Sequence, residues 1–255
     1  MMPIAVPQLP GNDHLRMIAD HFRSLAISAA DIPRHETIVF ICFTNRSGSN
    51  YLAEALHSSG RFNLAGELLN GDAVLDDVRL HGHPRFADYV TSQMAWRMVD
   101  GRFAMKLAIG HLEILGRAGF LDHCRATSHF VFIERSDRLG QAISYEIARQ
   151  TGQWTSETTV EVDIADLVYS RQGVIDAMDG FAGDNREFDR FFGRNGILPT
   201  HVVYEHLLAE PQAAVRASGR ATGLPDLAMD PARIGVRRQS GALNAHWREL
   251  YLAGR

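Results

Sequence analysis

The strongest pattern along the chain is a continuous apolar run at residues 38–43, Ile-Val-Phe-Ile-Cys-Phe, short and rich in β-branched and aromatic side chains. Such a run predicts a strand covered on both faces, as in a parallel sheet. Small polar residues follow at once, Thr44-Asn45-Arg46-Ser47-Gly48-Ser49-Asn50, and then a helix-forming stretch over residues 51–56. Residues 103–107, 129–133 and 201–204 predict three further strands, each separated from the next by helical or mixed segments. Alternation of this kind predicts an α/β domain with a central, mainly parallel sheet flanked by helices. Leu15, Ile18, Phe22 and Leu25 recur at helical spacing behind the cap candidate Asn12, predicting a helical N-terminal extension over residues 1–36. Residues 137–149, with Leu139, Ile143 and Ile147 on one face, and residues 164–181 also predict helices. No repeat or linker interrupts the 255 residues, so a single domain, 1–255, is expected.

Composition narrows the function classes. The formal net charge of −4 is not the footprint of a protein that wraps nucleic acid, so any anion binding must be local. The longest apolar run is far short of the roughly 20 residues that cross a bilayer, and Pro3, Pro7 and Pro10 interrupt a start that lacks a cationic leader pattern. Two cysteines, Cys42 and Cys124, with no C-x-x-C pair, suit a reducing compartment, and a cytoplasmic location is expected. His81-Gly82-His83 offers two imidazoles but no further ligand at zinc spacing, so no metal is expected.

Three segments carry candidate chemistry. The loop Arg46-Ser47-Gly48-Ser49-Asn50 lies between a strand and a helix, where free backbone N–H groups and the helix dipole converge on an anion. Gly48 permits close backbone approach, Ser47 and Ser49 offer hydroxyls, and Arg46 offers a planar fork. A plain serine-capped turn is the competing reading. There is no Gly-Lys-Ser or Gly-Lys-Thr, so a magnesium-dependent Walker loop is absent. At the end of the third strand Arg135 precedes Ser144 by nine positions, and the two can hold one phosphate. Arg237-Arg238-Gln239-Ser240-Gly241 forms a third basic segment.

Taken in order, these segments resemble bacterial sulfotransferases of the trehalose 2-sulfotransferase type, with nodulation-factor sulfotransferases as relatives. The resemblance runs from about residue 38 to residue 247: the Arg46-Ser47-Gly48-Ser49 loop, Gly66-Glu67-Leu68-Leu69-Asn70, Met105-Lys106-Leu107, Arg135-x-Asp137-Arg138-x-x-Gln141-Ala142-x-Ser144, Gln150-Thr151-Gly152-Gln153-Trp154, Val203-Tyr204-Glu205-His206-Leu207 and Arg238-Gln239. It implies a fold related to P-loop NTPases and a sulfuryl donor, 3'-phosphoadenosine 5'-phosphosulfate (PAPS), leaving as PAP. It also implies roles: Arg46, Ser47, Gly48, Ser49 and Asn50 around the 5'-phosphosulfate; Arg135, Ser144, Arg238 and Gln239 around the 3'-phosphate; Glu67 as general base for in-line transfer. Lys106, on a strand ending near the cleft, is a candidate contact to donor or acceptor.

The implied acceptor is a hydroxyl of a carbohydrate or glycolipid, and relatives include dimers, for which the apolar N-terminal helix is as much a candidate surface as a candidate part of the core. Acceptor loops are expected between residues 70 and 87 and between 154 and 164. The segment Ala65-Gly66-Glu67-Leu68-Leu69 departs from relatives that carry proline and aromatics there, which implies a differently shaped acceptor pocket. Two alternatives stay open: a P-loop-type kinase, and a nucleotide-binding module without catalysis. A histidine base is the rival to Glu67.

Overall fold

The computed structural model describes residues 2–154, 162–163, 166–236 and 241–255. In chain order the elements are α1 (Asp13–His21), β1 (Thr37–Phe43), α2 (Ser49–Ser58), α3 (Gly71–His81), α4 (Phe86–Arg97), β2 (Arg102–Leu107), α5 (Ile109–Arg117), α6 (Phe120–His123), β3 (Ser128–Glu134), α7 (Arg138–Thr151), α8 (Arg171–Asn195), β4 (Thr200–Val203), α9 (Tyr204–Ala209), α10 (Pro211–Ala221) and α11 (Ala242–Leu252). The four strands form one parallel sheet in the order β2-β1-β3-β4. The expected α/β architecture is therefore the observed one.

β1 is central, and every one of its residues is buried. Side chains alternate across a strand, so its apolar run serves two cores at once. Ile38, Phe40 and Cys42 face a layer that includes Ile18, Phe86, Leu112 and Phe188, from α1, α4, α5 and α8. Val39, Ile41 and Phe43 face Leu52 and Leu56 of α2, Leu207 of α9 and Val215 of α10. A third cluster, with Ile143, Val174 and Trp247, joins α7, α8 and α11 beyond the sheet end.

Three sequence-based expectations change. Asn12 caps α1 as expected, accepting from Leu15 N, but the helix spans only Asp13–His21. The rest of residues 2–36 is irregular save a 3₁₀ turn at Ala29–Asp31, and it is pinned by long-range bonds such as Ile4 N to Asp122 and Asn12 Nδ2 to the buried Glu113. Ile18 is fully buried in the main core, so α1 packs inward.

The helix expected from residue 164 starts at Arg171, where Ser170 accepts from Gly173 N, and then runs on to Asn195. Val168 stays outside it because the Gln150 amide brackets its backbone, donating to Val168 O and accepting from Val168 N, both at 2.9 Å. Residue 164 itself lies outside the described residues.

The acceptor loop expected over residues 70–87 is mostly α3, since the Asn70 side chain caps Asp72 N and Ala73 N and Val74 and Val78 bury one face. Most of residues 154–164 lie outside the described residues. No described helix is long and apolar enough to cross a membrane.

Buried chemistry also predicts acid behaviour. His111 on α5 is buried, and its Nδ1 accepts from Ala108 N. Burial, with the nearby charge of Glu67 opposing it, pushes its pKa down to about 4 from an ordinary value of 6.5. Between those values the unfolded chain binds more protons than the folded one. The contribution of neutral His111 is then complete above pH 6.5 and lost as pH falls toward 4, on the order of 3 kcal/mol. Denaturant midpoints measured from pH 7 to pH 4 should fall less steeply for His111→Gln than for the native protein; equal slopes would refute this.

Candidate active site

The sheet's carboxyl edge opens onto a cleft of about 570 Å³. The loop after β1 forms its floor. Arg46 and Gly48 both adopt left-handed backbone, at φ +62° and +91°. Gly48 is the N-cap of α2 and offers no side chain to the first-turn N–H groups, which leaves that helix end to a ligand. The Ser47 hydroxyl is buried and has no hydrogen-bond partner among the described residues. Gln141, fully buried on α7, holds the loop from behind by donating to Thr44 Oγ1 at 2.9 Å and Asn45 O at 2.8 Å.

Tyr204, the first residue of α9, explains why position 48 must be glycine. A Cβ at residue 48 would stand 2.2 Å from Tyr204 Cδ2. The other side of this region is held by Arg135, whose guanidinium stands 5.0 Å from the Tyr204 ring centroid.

Arg46 and Arg135 meet. Arg46 Nε donates to Ser144 Oγ at 2.9 Å and Nη1 donates to Trp154 O at 2.8 Å, while Arg135 Nη1 donates to Arg46 O at 3.4 Å. The loop and the Arg135–Ser144 segment, read separately in the sequence, are thus one hydrogen-bonded wall. Glu205 braces it by accepting from Ser136 N and Asp137 N at 2.9 and 3.1 Å, with Arg135 Nε 3.8 Å away. Asp137 caps α7 through Gly140 N and pairs with Arg248 of α11.

Across the cleft stands a second group. Lys106, buried on β2, donates to Asn50 Oδ1 at 2.5 Å and to Glu67 Oε1 at 2.8 Å, 5.0 Å from the Phe43 ring centroid. Glu67 reaches it because its segment runs beside β2: Asn63 exchanges hydrogen bonds with Ala104, and Lys106 N donates to Gly66 O at 2.9 Å. Glu67 Oε2 has no partner among the described residues, and the side chain is about one-third exposed.

A family model described as Stf0 sulphotransferase matches residues 104–254, more than half of the chain. The chain belongs to the Stf0 sulphotransferase family. Among solved structures it is similar to a retinol dehydratase in complex with retinol and PAP, at a TM-score of 0.40 and 14% identity over 95% of this chain and 69% of that one. At that level the likeness says nothing of this chain's substrate. No curated protein matches it.

In this sulfotransferase the matched stretch contains Lys106, Arg135 and Ser144 but begins after Arg46 and Glu67, whose place in the cleft rests on geometry. All the expected site residues that are described come together: Arg46, Gly48, Ser49, Asn50, Glu67, Lys106, Arg135 and Ser144 line the cleft, and Ser47 lies beneath. Arg238 and Gln239 fall outside the described residues.

Electrostatically this wall is a set of opposed charges. Burial, with the charge of Arg135, lowers the Arg46 pKa. Burial disfavours the Asp137 and Glu205 carboxylates as well, but hydrogen bonds outweigh it and hold both below the usual carboxylate range. Asp137 is held by Arg248 and Gly140 N, and Glu205 by Ser136 N and Asp137 N. Among the described residues no three His, Cys, Asp or Glu cluster as a metal site would need.

Sequence reasoning assigned no role to Gln141, Tyr204 or Glu205, although each lay in a segment carrying the resemblance. Gln141 had one local signal, its place a single helical turn after the capping Asp137. Arg248 and Asn63 had none.

Proposed function

We propose that this sulfotransferase transfers the sulfuryl group of PAPS to a hydroxyl of a carbohydrate or glycolipid acceptor in the cytoplasm. The observation that carries the reading is the pairing, in one cleft, of an anion-accepting wall with a carboxylate held by a buried lysine. The orphaned Ser47 hydroxyl and the uncapped start of α2 suit the 5'-phosphosulfate, and Arg135 with Ser144 suits the 3'-phosphate. Ser144 accepts from Arg46, which leaves its own O–H free to donate.

On this reading the acceptor oxygen attacks sulfur, the bond from sulfur to the bridging oxygen breaks, PAP leaves with that electron pair, and the hydroxyl proton passes to Glu67 Oε2. Lys106 holds Oε1, so one carboxylate oxygen is turned to the acceptor while the ammonium also steadies Asn50 at the donor loop. Arg46 offsets negative charge growing on the leaving phosphate.

Calorimetric titration with PAP in EDTA should show metal-free binding that Arg135→Ala weakens about tenfold or more. A panel of sugar and glycolipid acceptors with labelled PAPS then tests transfer. ATP binding that requires magnesium, with no PAP binding, would return the protein to the kinase alternative; PAP binding without product on any acceptor would favour a non-catalytic module.

A further inference from the structure

Arg248 belongs to none of the segments that first suggested anion binding, yet α11 delivers it to the cleft wall. Its Nη2 donates to Asp137 Oδ2 at 2.5 Å, and Arg135 Nη2 lies 4.0 Å from the same oxygen. Two guanidinium groups more than a hundred residues apart in sequence thus converge on one carboxylate. Asp137 cannot swing away cheaply, since its Oδ1 accepts from Gly140 N and caps α7. The cluster is tightly built: a Cβ at Gly140 would stand 2.2 Å from Asp137 Oδ2 and 2.7 Å from Arg248 Nη2.

Charge decides what such a cluster can take. Arg135 and Arg248 face Asp137 and Glu205, Arg46 joins the wall through Ser144 and Arg135, and the N-terminus of α7 adds its partial positive charge, so the wall carries surplus positive charge. Both Glu205 oxygens are taken up by backbone N–H groups. Arg248 is about two-fifths exposed, and of its guanidinium nitrogens only Nη2 has a partner among the described residues. Its remaining donors are available to a ligand beside Arg135 and Ser144.

We propose that Arg248 is a donor-specificity residue, binding together with Arg135 the ribose phosphate that distinguishes PAP from AMP. Asp137 holds the guanidinium in place and competes with that phosphate for it. The proposal rests on the reading of PAPS as donor.

The test titrates PAP and AMP separately into the full-length native protein and into Arg248→Ala, Arg248→Lys and Asp137→Asn, with a thermal melt of each. Arg248→Ala should weaken PAP about tenfold or more and leave AMP within about twofold, with Arg248→Lys recovering part of the loss. Asp137→Asn keeps a capping oxygen and removes the competing charge, so it should strengthen PAP. If Arg248→Ala weakens PAP and AMP equally, or if Asp137→Asn weakens PAP as Arg248→Ala does, the pair is structural and the proposal falls. Native protein that prefers PAP, with the preference intact in Arg248→Ala, overturns this proposal alone. Native protein that binds PAP no better than AMP overturns the donor reading with it.

Discussion

Replacing Glu67 by glutamine should lower kcat for sulfuryl transfer by about 10²–10⁴-fold while PAP binds within about twofold of the native protein. The amide keeps the size of the side chain and an oxygen for the Lys106 ammonium, which now donates to Oε1 at 2.8 Å. It removes the charge of the carboxylate and with it the ability to take a proton at Oε2. Because Asn50 and Lys106 stay in place, the loop after β1 has no reason to move. Steady-state rates with one acceptor, beside calorimetry with PAP, separate the two effects. A glutamine variant that turns over at the native rate would exclude Glu67 as the base and direct attention to a histidine.

The second large effect is expected at Gly48. Alanine there should abolish measurable PAP binding and lower the melting temperature by roughly 5–15 °C. Two costs add. Left-handed backbone at φ +91° costs a non-glycine residue about 1–2 kcal/mol. The new methyl would also stand 2.2 Å from Tyr204 Cδ2 and 2.6 Å from Cε2, overpacking that costs about 1–3 kcal/mol. Tyr204 cannot retreat freely, because the Arg135 guanidinium lies 5.0 Å from its ring centroid and is itself tied to Arg46 O. The double variant Gly48→Ala/Tyr204→Ala relieves the clash but not the backbone, so it should regain part of the melting temperature and little of the binding. A single Gly48→Ala variant with native melting and native PAP affinity would show that the loop has no need of its left-handed turn.

The two substitutions probe walls that differed in how far the sequence disclosed them. Arg46, Gly48 and Ser49 were legible because they follow the apolar run of β1 immediately, and a loop between a buried strand and a helix has one place to be in a parallel sheet. Arg135 was legible for the same reason at the end of β3. Glu67 carried no such local signal: it lies on an irregular segment, and its candidacy came from resemblance alone. Its position follows from Asn63 and Gly66 pairing with the edge of β2, a contact between residues about forty apart.

Errors in the elements have two origins, one distant in sequence and one local. Residues 167 and 168 fit a helical period, but the Gln150 amide, 18 residues away, holds Val168 outside the helix. Asn70 looked like loop and is the cap of α3, because its carboxamide oxygen satisfies two backbone N–H groups.

What the sequence determined by itself was the four strands with helical segments between them, the two-faced apolar character of β1 and the position of the polar loop that follows it. Hydrophobic period and strand-to-helix transitions are local properties, set by neighbours within a few residues. Tertiary structure alone decided that Arg46 bonds Ser144, that Tyr204 fills the space a residue-48 side chain would need, that Lys106 joins Asn50 to Glu67, and that Arg248 reaches Asp137. Each of these joins residues between 39 and 156 positions apart, which only the packing of the sheet and its helices brings within bonding distance.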